Sequence, residues 1–125
     1  MFKEESSFEV RKAVICFQYV ERIKSELIIA SRLLMEIGDL KGEELSGAKK
    51  LIASFIDALL SEINIANNVM GLQNFEEARM KVIGVKEKIL ADDYSEATRC
   101  ISEAISFITT SGQQAAQILK QNNLL

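Results

Sequence analysis

The sequence predicts an all-α fold, an antiparallel up-down-up-down four-helix bundle with two long N-terminal helices and a shorter third helix. Apolar residues recur at alternating steps of three and four, the spacing of a helix that packs along one face. The 125 residues contain no Pro, which suits long uninterrupted helices. Because the connections between the periodic segments are short, consecutive helices must lie antiparallel. The length predicts a single domain over residues 1–125.

The periodic segments cover about residues 8–37, 43–70, 75–90 and 94–121. Their recurring apolar positions are the predicted core. These positions are Ala13, Cys16, Val20, Ile23, Leu27, Ala30, Leu34 and Ile37, then Ile52, Ile56, Leu59, Ile63, Ala66 and Met70, then Phe75, Ala78, Val82, Val85 and Ile89, and finally Tyr94, Ala97, Ile101, Ala104, Ile108, Ser111, Ala115 and Ile118. Gly38 and Gly71 are expected to close the first two helices. Gly84 inside the third helix is tolerable where a neighbouring helix crosses closely.

The fourth segment contains the sequence TTSG at residues 109–112, which resembles a helix breaker. Ser111 could cap a separate fifth helix. The apolar spacing nevertheless continues through Gly112 without a slip. We therefore expect one continuous fourth helix.

Two similar stretches, NFEEA and DYSEA, predict how the third and fourth helices begin. Asn74 and Asp93 would be the N-caps, and Glu77 and Glu96, three residues later, would complete capping boxes. The second stretch also gathers the carboxylates of Asp92, Asp93 and Glu96. A metal site is the alternative, but these residues lack the alternating ligand spacing of a calcium loop. Capping is the preferred interpretation.

The composition argues against most catalytic chemistry. The chain has no His, which excludes Ser-His-Asp triads, His-ligated metals and the di-iron bundle signature. No glycine-rich phosphate loop, nucleophile elbow or paired-Cys zinc motif is present. Cys16 and Cys100 match no redox motif and are expected to be buried thiols, with a disulfide as the alternative. We expect no enzyme, no cofactor and no metal.

The charge pattern argues against nucleic acid and membrane partners. The net charge is −3. The third helix is basic in its middle, with Arg79, Lys81, Lys86 and Lys88, but Glu76, Glu77 and Glu87 interrupt it. No stretch reaches the ~20 uncharged apolar residues of a membrane span, and the N-terminus lacks an apolar signal sequence. A cytoplasmic location is expected.

The more informative anomaly is a lack of charge on faces that a monomer would expose. Residues 104–119 carry no charged side chain, and the first two helices carry apolar residues outside their core stripe. Either the core stripe is wide or these residues form a partner surface. The candidate interaction surface consists of Ile15, Tyr19, Ile29, Leu33, Phe55, Ser106, Thr109, Gln113 and Gln117.

The function that these patterns favour is a non-catalytic helical-bundle protein that mediates protein–protein interaction, as an adaptor, a chaperone-like binder or an assembly subunit. The surplus apolar surface favours self-association as a homodimer, together with a further protein partner. One alternative is a nucleic-acid-associated accessory subunit that uses the third helix. A ligand-binding or metal-binding bundle is the other.

Overall fold

A computed structural model describes residues 2–125 of the chain, with side chains from residue 9 onward. It contains four helices: α1 (Phe2–Ile37), α2 (Gly42–Met70), α3 (Gln73–Leu90) and α4 (Tyr94–Gln121). The four-helix prediction is confirmed, and α3 is the shortest helix at 18 residues. The helix α1 begins at Phe2, earlier than the expected start near residue 8.

The helices form a ring in which each packs against two neighbours. The helix α4 packs against α1 and α3, and α2 packs against the same two helices from the opposite corner. Contacting residues run in opposite directions along neighbours: Asn67 of α2 bonds Glu76 of α3, whereas the earlier Asp57 bonds the later Lys86. The helices α2 and α3 are therefore antiparallel, and the short connections between the other consecutive helices require the same arrangement.

The predicted core stripes of α1, α2 and α3 are all buried. At the end of α4 the buried positions shift by one residue, because Gly112 and Leu119 are buried while Ile118 is only partly buried. A straight α-helix has 3.6 residues per turn, so a stripe read at 3.5 drifts toward later residues over several turns. Tyr94, predicted for the core, is also only partly buried.

Small residues let α4 approach its neighbours closely, whereas α2 stands further from both of its own. A Cβ atom added to Gly112 would lie 2.6 Å from Cγ1 of Val20 on α1. At Gly84 of α3, an added Cβ would lie 3.6 Å from the Cys100 Sγ of α4. The helix α4 consequently runs unbroken through Gly112, as predicted, and the glycine is the point at which it crosses α1.

The helix ends follow the sequence in part. Gly71 adopts the left-handed conformation at φ 61° and closes α2 as expected, whereas Gly38 has no positive φ. Asp93 caps α4 by accepting a hydrogen bond from the backbone N–H of Glu96. The predicted cap at Asn74 is wrong, because α3 begins earlier, at Gln73. The Asn74 amide instead donates to the buried hydroxyl of Ser111.

Candidate functional site: the face formed by α1 and α2

The nine residues of the predicted interaction surface lie on two separate surfaces. On α1, Arg22 contacts Glu62 of α2, and Ile15 and Ile29 lie seven residues to either side of Arg22, on the same side of the helix. Val20 meets α4 on the other side. The α2 side carries Ile15, Tyr19, Ile29, Leu33 and Phe55, and the outer surface of α4 carries Ser106, Thr109, Gln113 and Gln117.

The apolar one of the two surfaces, here named the α1–α2 face, lies where these two helices meet at the outside of the bundle. The contact between Arg22 and Glu62 fixes the register of the pair. Because the helices are antiparallel, the residue seven positions after Arg22 lies beside the residue seven positions before Glu62, and the converse holds on the other side. Each such pair is apolar. The apolar residues of the face are Ile15, Tyr19, Ile29 and Leu33 from α1 and Leu51, Phe55, Ile65 and Val69 from α2, and between them lie Arg22 and Glu26 of α1 and Ala58 and Glu62 of α2.

Most of these side chains are well exposed for their size. Leu51 is 75% exposed, Ile65 and Val69 are each 56% exposed, and Ile29 is 48% exposed. Tyr19 and Phe55 are partly buried and pack against the core. The wide-core explanation therefore accounts for the two aromatic residues but leaves the aliphatic ones without a partner in the monomer.

A group of three charged side chains divides the face into two apolar clusters. Nε of Arg22 lies 2.5 Å from a Glu62 carboxylate oxygen and 3.7 Å from one of Glu26. Only about a quarter of each glutamate side chain is exposed, at 26% for Glu26 and 25% for Glu62. Burial, then the hydrogen bond with Glu62 and repulsion from it, raises the pKa of Glu26 to about 7. Two carboxylates thus share one cation in the middle of an apolar surface.

Sequence reasoning missed Ile65 and Val69, which extend the face at one end. Each follows a face residue of α2 by seven positions, Ile65 after Ala58 and Val69 after Glu62. The sequence did contain a signal for them, a second row of mostly apolar residues in α2 that runs beside the core stripe at spacing 4, 3, 4, 3, 4. Leu60, another apolar residue outside the core stripe of α2, does not belong to the face, because it lies seven residues before Asn67, on the side of α2 that packs against α3.

The second surface, on α4, is weakly polar. Ser106, Gln113 and Gln117 are exposed, and Thr109 is partly buried. None of these residues carries a charge, which lowers the cost of removing them from water. They line one stripe along the outer side of α4 but form no apolar patch, because all four side chains are polar.

The carboxylates around residue 92 have local structural partners. Asp92 accepts hydrogen bonds from Lys49 of α2 and from the Tyr94 hydroxyl, each at 2.7 Å. Burial, with the bond to Asp92, raises the pKa of Tyr94 to about 12. Glu96 pairs with Arg99 at 3.3 Å. Among the side chains that the structure describes, those of residues 9–125, no three Cys, Asp or Glu are grouped as a metal would need.

Three of the four basic residues in the middle of α3 are paired with carboxylates. Arg79 bonds Glu76 within α3, Lys81 reaches Glu103 of α4, and Lys86 reaches Asp57 of α2. These pairs neutralise most of the charge that a phosphate backbone would need. The arrangement therefore gives no support to the nucleic-acid alternative.

The two cysteines are free thiols on different sides of α4. Cys16 is buried and lies 3.9 Å from the Ser111 carbonyl oxygen, and Cys100 is partly buried beside Gly84. Burial raises the pKa of both thiols. A raised pKa disfavours the nucleophilic thiolate, so neither thiol is activated for redox chemistry.

A cleft of about 430 Å³ lies at the end of the bundle where α1 and α4 outrun the turn between α2 and α3. Cys16, Met70, Leu72 and Ala115 form much of its wall. Ser111, which also lines it, already accepts the hydrogen bond from Asn74. Glu9, Lys12 and Gln114 also line the cleft, but in the described part of the chain no buried side-chain nitrogen or oxygen lacks a partner, so no unsatisfied buried group marks a ligand position there.

No helix within residues 2–125 combines the length and apolar character that a bilayer crossing needs. Comparison of the chain with protein-family models, with curated proteins and with solved structures finds no match. The α1–α2 face is therefore the feature from which a function has to be argued.

Proposed function

We propose that this chain is a non-catalytic interaction protein, whose four-helix bundle is a rigid support for protein–protein contacts through the α1–α2 face. An adaptor or assembly subunit needs a firm scaffold and an exposed, partly apolar surface. The bundle supplies the scaffold through the close packing of α4 on α1 and α3. The face supplies the contact surface.

The observation that carries this proposal is the exposure of aliphatic side chains in two clusters on one side of the molecule. Leu51 is 75% exposed and Ile29 48% exposed. Contiguous apolar surface costs free energy in water and favours association. The charges between the clusters fit the usual form of an interface, in which a few polar groups set register and specificity within an apolar surround.

The proposal is tested by affinity capture from extracts of the native cells with tagged chain and two single variants. Ile29→Asp places a charge on the α1–α2 face. Ile28→Asp is the matched control, because Ile28 is 47% exposed but lies one residue away, about 100° around the helix. We expect proteins captured by the unmodified chain to be retained by the Ile28 variant and lost with the Ile29 variant.

Equal capture by all three proteins would contradict a role for the face. Loss with both variants would place the contact elsewhere on α1. Circular dichroism and thermal unfolding of each variant are needed beside the capture, so that loss of partners is compared only between folded proteins.

A further inference from the structure

We infer that a second copy of this chain covers the α1–α2 face, related to the first by a two-fold axis that crosses the middle of α1 and α2. This inference rests on the proposed function and names its partner. Its basis is that the face is complementary to itself when turned end over end. A two-fold interface requires this property. If residue i of one copy contacts residue j of the other, then residue j of the first copy contacts residue i of the second.

The α1 half of the face reads the same in chemical character from either end. Its six residues are centred on position 24 and spaced 4, 3, 4, 3, 4. Under the proposed axis, α1 lies antiparallel over α1 of the second copy, and apolar residues meet apolar residues while the cation meets an anion. The pairs are Ile15 with Leu33, Tyr19 with Ile29, and Arg22 with Glu26.

The α2 half has the same symmetry, centred on position 60. Its outer residues are apolar, and the small Ala58 lies opposite the charged Glu62, which leaves room for the carboxylate. The pairs are Leu51 with Val69, Phe55 with Ile65, and Ala58 with Glu62. The contact between Arg22 and Glu62 places positions 24 and 60 at the same level of the bundle, so one axis serves both helices.

Charge complementarity identifies the second copy as the occupant. Within one protomer Arg22 lies closer to Glu62 than to Glu26. Glu26 therefore has the weaker interaction with the guanidinium group that the two carboxylates share. The two-fold axis brings Arg22 of the second copy to Glu26. Close opposite charges of this kind set the register of an interface.

The size of the face is sufficient for a dimer. From Ile15 to Leu33 it spans 18 residue steps, which is about 27 Å at 1.5 Å per residue, and two helices are about 20 Å wide. Two copies would bury about 1,100 Å² in total, just above the ~1,000 Å² expected of a specific interface. The dimer should therefore be measured over micromolar concentrations.

The first test is size-exclusion chromatography with light scattering, over a range of micromolar concentrations at pH 8. We expect a dimer for the unmodified chain and for Ile28→Asp, and a dissociation constant raised at least about tenfold by Ile29→Asp, which places one charge from each copy in the interface. A monomer at high micromolar concentration overturns the inference. If that monomer still loses captured proteins through Ile29→Asp, the proposed function stands and only the identity of the partner is wrong.

The second test exchanges charges and examines the geometry. Arg22→Glu alone and Glu26→Arg alone place like charges opposite each other in a homodimer, so each should be monomeric. A mixture of the two should form a heterodimer, because the two carboxylates that one variant carries at positions 22 and 26 then meet the two guanidinium groups of the other variant. Failure of the mixture to associate, with both variants folded by circular dichroism, overturns the proposed axis.

Discussion

At the scale of single residues, two glycines inside helices pack against different kinds of side chain, and the amino-acid sequence does not reveal this difference. Gly84 and Gly112 both lie within helices that pack closely. Gly112 faces the stiff, buried side chain of Val20, whereas Gly84 faces the Cys100 thiol at an ordinary contact distance. The same substitution should therefore have opposite effects at the two positions.

Gly112→Ala is expected to lower the free energy of unfolding by about 1–3 kcal/mol, the usual cost of overpacking a core. The added methyl would lie 2.6 Å from Val20 Cγ1, and a β-branched side chain has few rotamers with which to move away. Urea denaturation measures the change. A more stable variant would show that α1 and α4 can separate freely at this crossing.

Gly84→Ala is the matched control and is expected to raise the free energy of unfolding by up to about 1 kcal/mol, because alanine favours a helix more than glycine. The new Cβ would lie 3.6 Å from Cys100 Sγ, which is a normal van der Waals contact. The same denaturation experiment applies. Destabilisation here would mean that α3 and α4 are packed more tightly than this distance indicates.

Asp93 and its helix cap give a further residue-scale prediction. Its carboxylate accepts the N–H of Glu96 at 3.2 Å, so Asp93→Ala should lower the free energy of unfolding by about 1 kcal/mol, whereas Asp93→Asn should be nearly neutral. Thermal unfolding of the two variants measures the difference. Partner binding should survive both changes, and its selective loss in a stable variant would return the metal interpretation to consideration.

At the scale of the helices, the core could be predicted from the sequence almost completely, because the three-and-four spacing of apolar residues is enough to identify the buried side of each helix. The exceptions have physical causes. The end of the α4 stripe slipped from Ile118 to Leu119 because small period errors accumulate along a long helix. The cap at Asn74 failed because α3 begins one residue earlier, at Gln73, and the Asn74 amide donates instead to the buried hydroxyl of Ser111, 37 positions away. No local pattern contains such a partner.

The candidate surface could be predicted only in part, for a related reason. The sequence shows that a side chain lies outside the core stripe, but not which neighbouring helix lies on that side. Ile15 and Ser106 were therefore assigned to one surface, although they lie toward α2 and on the outside of α4, respectively. Only the order of helices around the ring separates the two surfaces and reveals that Ile65 and Val69 complete the first.

The difference in packing between helices predicts a difference in local stability. The middle of α2 packs through branched side chains and lies further from the backbones of its two neighbours, whereas α4 lies close to both of its own. Amide hydrogen exchange at low micromolar protein should be at least about tenfold faster in residues 52–66 than in residues 97–112. The short α3 is the control: if length decided protection, α3 would exchange fastest, and that result would contradict the packing explanation.

At the scale of the whole molecule, the bundle joins a closed core to the α1–α2 face, on which aliphatic side chains lie exposed in two clusters. The core needs no second chain, because its stripes are already buried within the protomer. Association through the α1–α2 face can therefore be weakened without unfolding the protein. This separation makes surface variants informative, since a change in assembly can be read apart from a change in fold.

The pH dependence of stability should depend on the proton that the Glu26 carboxylate binds. Its pKa is about 7 in the folded chain against an ordinary 4.5, so the folded state binds more protons between these values. Its contribution is fully present below about 4.5 and is lost as the pH rises through about 7. Glu26→Gln should match the unmodified chain at pH 5 and exceed it by on the order of 1 kcal/mol at pH 8, allowing for partial exposure. Urea denaturation at low micromolar protein measures this. Glu21→Gln, which changes an exposed carboxylate paired with Lys24, is the control, and an equal gain there would mean that net charge, rather than crowding at Arg22, sets the dependence.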